Sequence, residues 1–313
     1  MTDSPAIATD NLTKRFGPLA AVESLNLSVP RGELFGLVGS DGAGKTTTIR
    51  MLTGIMDPTS GSASVLGRET GREAEAIKEH IGYMSQRFGL YPDLTVQENL
   101  RFYADIYGLD STARAAQMER LLGFSNLAPF KKRLAGNLSG GMKQKLGLAC
   151  ALIHTPRVLF LDEPTNGVDP VSRRDFWRIL YQLLREGVTI FIATAYLDEA
   201  DRCHRVGLIH KGRLLACDEP DRLRKLMRGV ILEIRTSDPR KSARLLREEI
   251  SGATVGLFGD RVHLVTGDPD GSRTAAEETL KKEGIGLSGI RQVDPSLEDV
   301  FVSVLSEGNP RGR

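Results

Sequence analysis

Eight consecutive residues of this chain follow the pattern G-x-x-x-x-G-K-[ST], which is typical of loops that bind phosphate. The loop is Gly39-Ser40-Asp41-Gly42-Ala43-Gly44-Lys45-Thr46, and an apolar, strand-like run precedes it. Its glycines let backbone N–H groups converge on one anion, and the helix that follows presents its positive end there. Lys45 is expected to reach the β- and γ-phosphates, and the Thr46 hydroxyl to bind Mg²⁺. A plain glycine-rich turn would need neither side chain.

A second candidate element is the apolar run Val158-Leu159-Phe160-Leu161, which ends in Asp162-Glu163. The run has no polar alternation, as expected of a parallel strand covered on both faces. Ligands of open α/β sheets bind at the carboxyl ends of strands, so the sequence predicts that the carboxylates and the phosphate loop lie side by side at neighbouring strand ends. Asp162 would then hold Mg²⁺, and Glu163 would act as general base. The alternative is a solvated strand end.

The run Leu138-Ser139-Gly140-Gly141-Met142-Lys143-Gln144 lies between these two elements. Ser139 is placed as the N-cap of a helix, and the two glycines leave the first helical N–H groups open to a second anion. One copy of the chain has no second phosphate to offer. The run therefore separates this chain from the many nucleotide-binding folds that share the other two elements.

Together the three segments resemble the ATP-binding cassette (ABC) proteins, over residues 6–220. The run around Ser139 is similar to the signature motif of that family, which closes over the γ-phosphate held by the phosphate loop of a partner. The resemblance implies an α/β P-loop NTPase fold with an inserted helical subdomain. It also implies a head-to-tail homodimer or heterodimer with two ATP molecules between the protomers.

Other residues receive roles only through this resemblance. Phe16 matches the aromatic side chain that stacks on adenine, although a lone Phe is as often core, and Gln86 matches a glutamine that contacts Mg²⁺ and water. Asp169 matches a loop that communicates across the dimer interface, but Asp169-Pro170 is also a plain N-cap with Pro at N1. The implied catalytic residues are Glu163, Lys45 and Gln86, and the implied Mg²⁺ ligands are Thr46, Gln86 and Asp162. The implied ATP-binding residues are Phe16, Gly39, Ser40, Asp41, Gly42, Ala43, Gly44, Lys45, Thr46, Thr47, Ser139, Gly140, Gly141 and Asp169.

The chain departs from the family pattern at two places. Ser40-Asp41 stands where Pro-Asn is usual, which the loop should tolerate because it binds mainly through its backbone. Thr194-Ala195 stands where Thr-His is usual. The missing histidine is the γ-phosphate contact of the family, so no residue inherits that role by position.

Composition predicts an intracellular α/β protein. The 42 basic and 40 acidic side chains of the 313 residues give no electrostatic footprint for nucleic acid. No apolar run approaches the roughly 20 residues of a spanning helix, and the first residues lack a secretory signal. The three cysteines are widely spaced, which suits reduced thiols, and the five histidines show no metal-binding spacing.

The sequence predicts two domains, a cassette over residues 1–228 and a small α+β domain over residues 229–313. Thr95-Val96-Gln97-Glu98 forms a capping box that opens a helix, and residues 88–153 look like the helical subdomain. Beyond residue 229 the order βαββαβ suggests a ferredoxin-like fold. The ending Leu297-Glu298-Asp299-Val300-Phe301 resembles the tail of drug-export ATPase subunits.

The resemblance therefore implies the ATP-hydrolysing subunit of an ABC exporter of drug-like or lipid-like substrates. It would work with separate membrane permease subunits of the type-2 class, as a peripheral protein on the cytoplasmic membrane face. Residues 36–199 resemble the first cassette of tandem multidrug-export ATPases, and Phe88-Gly89-Leu90-Tyr91 is the candidate docking surface. Two alternatives stay open: a degenerate regulatory cassette that binds ATP while a partner hydrolyses it, and a soluble ABC ATPase outside transport.

Overall fold

A computed structural model of the protein describes residues 4–87, 89–227 and 229–307. The chain forms two compact units, Met1–Cys217 and Asp218–Arg313. In chain order, the first unit contains β1 (Ile7–Phe16), β2 (Leu19–Val29), β3 (Leu34–Val38), α1 (Lys45–Leu52), β4 (Ser60–Val65), β5 (Arg68–Glu69), α2 (Ala74–Lys78), β6 (Ile81–Met84), α3 (Val96–Ile106), α4 (Ser111–Phe124), α5 (Gly140–Ala151), β7 (Val158–Asp162), α6 (Pro170–Arg185), β8 (Thr189–Thr194), α7 (Leu197–Ala200), β9 (Arg205–His210) and β10 (Arg213–Asp218).

The central sheet of the first unit has six strands in the order β10-β9-β3-β8-β7-β6. All of them except β10 are parallel to their neighbours, and every residue of β3, β7 and β8 is buried. Burial on both faces explains why these three strands are mostly apolar and show no polar alternation. A tight turn at Lys211-Gly212 joins β9 to β10, and both turn residues have positive φ, 46° and 79°.

A second, antiparallel sheet has the order β2-β1-β4-β5. The first two strands are long but irregular, because the pairing of β1 with β2 shifts register three times and both Asn11 and Ser24 have positive φ. These shifts destroy the strict alternation that identifies a half-buried strand. The core lies between the two sheets and α1, where Ile7, Phe35 and Ile49 pack in one cluster.

The helical insertion is built from α3, α4 and α5. The predicted capping box at the start of α3 is confirmed, since Thr95 Oγ1 accepts from the Glu98 backbone N–H and Glu98 Oε2 accepts from the Thr95 N–H. Asn99, fully buried on α3, donates to the Tyr91 carbonyl and accepts from the Tyr91 N–H at 2.9 Å. The segment before α3 is thereby fixed to the helix. Phe88, part of the predicted docking segment, lies outside the described residues.

The second unit confirms the predicted βαββαβ order. Its elements are α8 (Pro220–Arg224), β11 (Val230–Thr236), α9 (Pro239–Glu249), β12 (Thr254–Phe258), β13 (Arg261–Thr266), α10 (Pro269–Lys282), β14 (Leu287–Val293) and α11 (Leu297–Glu307). Its sheet has the order β12-β13-β11-β14, and Leu232, Leu246 and Leu280 lie in the core between sheet and helices. The unit begins at Asp218 rather than near residue 229, since the short helix α8 contacts the last helix, α11.

Within the described parts of the chain, no helix combines the length and the apolar character that crossing a bilayer requires.

Candidate functional site

The phosphate loop connects β3 to α1, and its glycines are required for different reasons. A Cβ at Gly39 would lie 2.2 Å from the Ile209 carbonyl oxygen, and a Cβ at Gly44 would lie 2.4 Å from that of Ala21. Gly44 also has φ 107°, and Gly42 has φ 75° with open space around it. Glycine is therefore required at positions 39 and 44 because a neighbouring backbone leaves no room for a side chain. At position 42 it is required because φ is positive. Ser40, Asp41 and Gly42 at the tip are exposed.

Lys45 begins α1 and is buried, with 4% of its surface exposed. Its Nζ donates to the carbonyl oxygens of Gly39 at 2.8 Å and Ser40 at 3.1 Å, and it lies 3.1 Å from Glu163 Oε1. A buried ammonium is tolerated only when acceptors surround it in this way. The Lys45 side chain is therefore fixed at the phosphate loop, and its ammonium group is paired with the Glu163 carboxylate.

The prediction that the loop and the acidic pair lie at neighbouring strand ends is wrong in one respect. Strand β8 lies between β3, which carries the loop, and β7, which carries Asp162. Helix α1, which follows the loop, packs over β8 and reaches β7. Thr46 Oγ1 consequently donates to Asp162 Oδ1 at 3.0 Å. The residues meet as predicted, but through the helix rather than through strand pairing.

Burial raises the pKa of the Asp162 carboxyl, and the charge of Glu163 adds to this effect. The hydrogen bond from Thr46 and the charges of Lys45 and Arg50 oppose the shift without cancelling it. A cation bound beside this carboxylate would favour its charged form. Asp162 is thus a buried acid whose negative charge the surrounding protein compensates incompletely.

Glu163 follows β7 with φ 48°, a left-handed conformation that is uncommon for a side chain of this size. Its backbone N–H donates to the Ala193 carbonyl at 2.8 Å, which holds the turn against β8. Gln86 Nε2 donates to Glu163 Oε2 at 3.1 Å, and Asn166 Nδ2 donates to the same oxygen at 3.3 Å. With Lys45 on Oε1, both carboxylate oxygens are held in place.

The oxygen atoms of Thr46 and Asp162 fit a role in binding Mg²⁺. The ion prefers oxygen ligands and commonly takes one or two from the protein and the rest from phosphates and water. No group of three or more His, Cys, Asp or Glu side chains that could hold a metal occurs in the described ranges. A magnesium ion held by Thr46 and Asp162 would take its remaining ligands from phosphate and water. Thr47 is half-buried on the same helix, next to Thr46.

The predicted N-cap at Ser139 is confirmed, since Ser139 Oγ accepts from the Met142 N–H at 3.3 Å at the start of α5. The two glycines that follow differ. A Cβ at Gly141 would lie 2.2 Å from Ser172 Oγ, whereas a Cβ at Gly140 would meet nothing closer than the Gly167 oxygen at 4.0 Å. Packing explains the glycine at 141 but not the one at 140. The N-terminus of α5 is therefore open on the side of Gly140.

Asp169 caps α6, as predicted, with Pro170 in the first turn. Its Oδ1 accepts from the N–H groups of Val171 at 3.1 Å and Ser172 at 2.9 Å. These hydrogen bonds, chiefly that from Ser172, lower the pKa of the Asp169 carboxyl. The capping role is established, and a role across a dimer interface stays a prediction.

Two predicted positions lie on the surface. Phe16, at the end of β1, is 48% exposed, with Lys14 Nζ 5.5 Å from its ring centre, so the ring is not part of the core. Its contact with adenine remains a prediction. Ala195 is exposed directly after β8.

Glu199 is a buried residue that sequence patterns do not indicate. Its carboxylate accepts from Thr194 Oγ1 at 2.8 Å, Trp177 Nε1 at 3.3 Å and Arg173 at 3.0 Å, and also from the Thr165 hydroxyl. It connects the end of β8 to α6 and to the loop after Glu163. A glutamate in a short polar helix gives no sequence signal of burial, because its partners lie 5 to 34 residues away along the chain.

A glycine-rich loop at the end of a parallel strand, a buried lysine and a hydroxyl–carboxylate pair define the P-loop NTPase class. The profile of the ABC transporter family matches residues 22–166, which include all three predicted motifs. The probable multidrug ABC transporter ATP-binding protein YbhF of Escherichia coli is 43% identical over 96% of this chain and 52% of its own length. The bacitracin transport ATP-binding protein BcrA of Bacillus licheniformis is 36% identical over 97% of this chain and 99% of its own.

A solved ATP-binding subunit of an ABC transporter is also similar, with 29% identity and a TM-score of 0.65 over 71% of this chain and 92% of its own. The chain belongs to the ATP-binding proteins of the ABC transporter family, whose members are ABC-type ATPases. It spans about half the length of YbhF.

Proposed function

We propose that this chain binds ATP with Mg²⁺ and hydrolyses it to power an ABC exporter. The observation that carries the proposal is the pairing of Lys45 with Glu163 and of Thr46 with Asp162, at 3.1 and 3.0 Å. One pair supplies a cation for phosphate and a base for water, and the other supplies two oxygen ligands for the metal. These are the groups that phosphoryl transfer to water needs.

In the proposed reaction Lys45 exchanges its ion pair with Glu163 for a contact with the γ-phosphate, which frees Glu163 Oε1. Glu163 then accepts a proton from the attacking water as the water oxygen bonds to the γ-phosphorus. The bond between that phosphorus and the bridging oxygen breaks, and ADP leaves with the electron pair. Gln86, 3.1 Å from Glu163 Oε2, holds the carboxylate in place. Mg²⁺ bound by Thr46 and Asp162 would neutralise charge on the phosphates.

We infer that two cassettes close on two ATP molecules. Ser139 and Gly140 begin a helix whose N-terminus is open, and a helix N-terminus binds anions well. A Cβ at Gly140 would contact nothing closer than 4.0 Å among the described residues, which supports a role against a ligand held by another cassette. Either a homodimer or a heterodimer satisfies this arrangement.

The proposed partner is a membrane permease, which would hold the chain at the cytoplasmic face of the membrane. An exposed apolar surface supports this proposal, with Ile55 56%, Ile106 61% and Tyr107 37% exposed. These residues border a cavity of about 470 Å³, large enough for side chains of a permease helix. The predicted docking residue Tyr91 is 45% exposed and packs edge-on against Phe102 on α3.

The substrate is proposed to be drug-like or lipid-like, in line with the multidrug and bacitracin assignments of the two relatives. Relatives matched along nearly the whole chain are transporter proteins, which supports a transporter over an ABC ATPase outside transport. The sharpest test is the neighbouring genes. Adjacent reading frames that each encode about six spans of roughly 20 apolar residues support the proposal, and their absence counts against it.

One observation favours a second candidate function, a regulatory cassette that binds ATP while a partner hydrolyses it. Ala195 is exposed directly after β8, and its methyl group cannot hydrogen-bond to a phosphate. Single-turnover hydrolysis by the purified chain with Mg²⁺ and ATP separates the two functions. A rate that depends on Glu163 supports the catalytic proposal, and binding without any hydrolysis supports the regulatory one.

A further inference from the structure

The segment after β8 reaches the proposed base through two side chains. The Tyr196 hydroxyl donates to Asn166 Oδ1 at 3.2 Å, and Asn166 Nδ2 donates to Glu163 Oε2 at 3.3 Å. We propose that Tyr196 is a positioning residue for ATP hydrolysis, which acts on Glu163 through the Asn166 amide. The proposal rests on the function proposed for Glu163 above.

The two ends of the Asn166 amide make the direction of this contact definite. An amide has a donor end and an acceptor end, whereas an ionised carboxylate only accepts. The amide must therefore turn Nδ2 toward Glu163, which leaves Oδ1 facing Tyr196. The Tyr196 hydroxyl stabilises this orientation because it donates to Oδ1. The reverse orientation would set an oxygen against the carboxylate and lose the hydrogen bond to Glu163, because an ionised carboxylate cannot donate.

Tyr196 is itself held by the structure around it. Its backbone N–H donates to Thr194 Oγ1 at 3.0 Å, and the Arg173 guanidinium lies 4.8 Å from its ring centre. Arg173 in turn bonds to the buried carboxylate of Glu199 at 3.0 Å. The ring is 37% exposed, so the hydroxyl is not needed to fill the core. A substitution that removes only this hydroxyl leaves the ring and its cation–π contact in place.

The expected consequence is selective for the chemical step. Glu163 Oε2 accepts from Gln86 and from Asn166, and only the second of these donors depends on Tyr196. Loss of the hydroxyl frees the amide to rotate, so the carboxylate spends less time in the orientation that accepts a proton from water. ATP is held by the phosphate loop and Lys45 in the proposed site, and the substitution does not touch them. The turnover number should fall while the KM for ATP stays constant.

The first experiment compares Tyr196→Phe with Tyr181→Phe in steady-state and single-turnover ATPase assays on the full chain. Tyr181 is a matched control, since it is also 37% exposed and lies on α6 beside Trp177. We expect kcat of Tyr196→Phe to fall about two- to tenfold, the effect of one hydrogen bond, with KM unchanged. Tyr181→Phe should keep the wild-type rate. A wild-type kcat for Tyr196→Phe, or an equal loss in both variants, overturns the proposal.

A double-mutant cycle tests whether Tyr196 acts through Asn166. If it does, the Asn166→Ala and Tyr196→Phe double variant should hydrolyse ATP as fast as Asn166→Ala alone, because the second change has nothing left to act on. If the losses in kcat of the two single variants multiplied in the double variant, Tyr196 would not act through Asn166.

Glu163→Gln distinguishes the two proposals. If it slows hydrolysis while Tyr196→Phe does not, only the positioning role fails. If Glu163→Gln keeps the wild-type rate, the proposed function of Glu163 fails, and the role of Tyr196 fails with it.

Discussion

Asp162 in the first unit and Glu233 in the second are both nearly inaccessible carboxylates, but their pKa values are shifted in opposite directions. Asp162 in the first unit is 1% exposed, and its pKa is raised by burial and by the adjacent Glu163. Glu233 in the second unit is 3% exposed. Burial raises the Glu233 pKa, but the hydrogen bonds from Arg291 and Arg261 outweigh it and lower that pKa to about 2.

The difference lies in where the compensating charge comes from. Arg291, Arg261 and Arg235 lie 2.8, 2.9 and 3.3 Å from the Glu233 carboxylate, so its charge is satisfied inside the second unit. Asp162 receives a neutral hydroxyl at 3.0 Å, and the charges of Lys45 and Arg50 do not cancel the effect of burial. A satisfied buried charge anchors a fold, whereas a poorly compensated one marks a place where a ligand supplies the missing charge.

The largest effect is expected from Lys45→Ala, which removes the cation beside Glu163 and Asp162 in the first unit. Hydrolysis should fall below detection, because neither the γ-phosphate nor Glu163 then has its cationic partner. Lys241→Ala is the control, since Lys241 is also ion-paired, 3.2 Å from Glu283 in the second unit. A Mg²⁺-dependent phosphate-release assay measures both variants. Wild-type-like turnover of Lys45→Ala would refute the site assignment.

Glu163→Gln should slow hydrolysis by about 10² to 10⁴, the usual contribution of a positioned general base. ATP binding should persist, so the ATP-bound dimer should accumulate and appear in size-exclusion chromatography. Adding Ser139→Arg to this variant should abolish the dimer, because a large cation would block the open start of α5. If only monomer elutes with ATP, the head-to-tail dimer is wrong.

Ala195→His should accelerate single-turnover hydrolysis by the isolated chain. One donor to a developing charge is typically worth about 10² to 10³ in rate, and the alanine side chain provides none. If a second, complete cassette shares the site, the gain should be largest for the chain alone. Equal rates for the wild type and Ala195→His, both at the level of a fully active cassette, would show that position 195 does not limit the chemistry.

Glu233→Gln tests the other side of the comparison. It should destabilise the second unit by about 1 to 3 kcal/mol, because buried charged hydrogen bonds are lost, while hydrolysis per folded molecule stays unchanged. The wild-type contribution should be full above pH about 4.5 and decline as pH falls toward about 2, since the folded-state pKa is depressed from 4.5 to about 2. Urea unfolding of the full chain at several pH values measures both effects. If Glu233→Gln lowered hydrolysis per folded molecule together with the free energy of unfolding, Glu233 would not be a purely structural carboxylate.

The smallest effect is expected at His263, which lies 2.7 Å from Asp299 and 3.7 Å from Glu233. Burial lowers its pKa, but Asp299 and Glu233 outweigh burial and raise it above 6.5. Because the folded pKa is raised, the stabilisation is full below about pH 6.5 and is lost as pH rises through the folded pKa. Hydrogen exchange in residues 297–305 should therefore speed up with pH beyond the intrinsic rate, and His263→Gln should remove that excess. An identical excess in both proteins contradicts the prediction.

Local patterns predict much of this molecule. The phosphate loop, the strand that ends at Asp162 and the caps at Thr95, Ser139 and Asp169 each depend on a few consecutive residues. The βαββαβ order of the second unit follows from strand and helix periodicity in the same way. Local interactions fix these features, so a single sequence carries them.

Other features depend on pairs that are distant in sequence. The position of β8 between β3 and β7 is a matter of strand order, which periodicity does not encode. Glu233 bonds to arginines 28 and 58 residues further on, and Tyr196 bonds to Asn166 across 30 residues. Each of these residues appears ordinary in its own segment. Only folding brings the partners together.

The ion pair between Lys45 and Glu163 gives the site an internal competitor for its own substrate. The Glu163 carboxylate lies 3.1 Å from Lys45 Nζ, where the γ-phosphate would bind in the proposed cycle. Each ATP that binds must therefore displace the carboxylate from the lysine. ADP, which has no γ-phosphate, has less to offer in that exchange. In the proposed cycle, this contact would therefore favour ATP over ADP before any bond is broken.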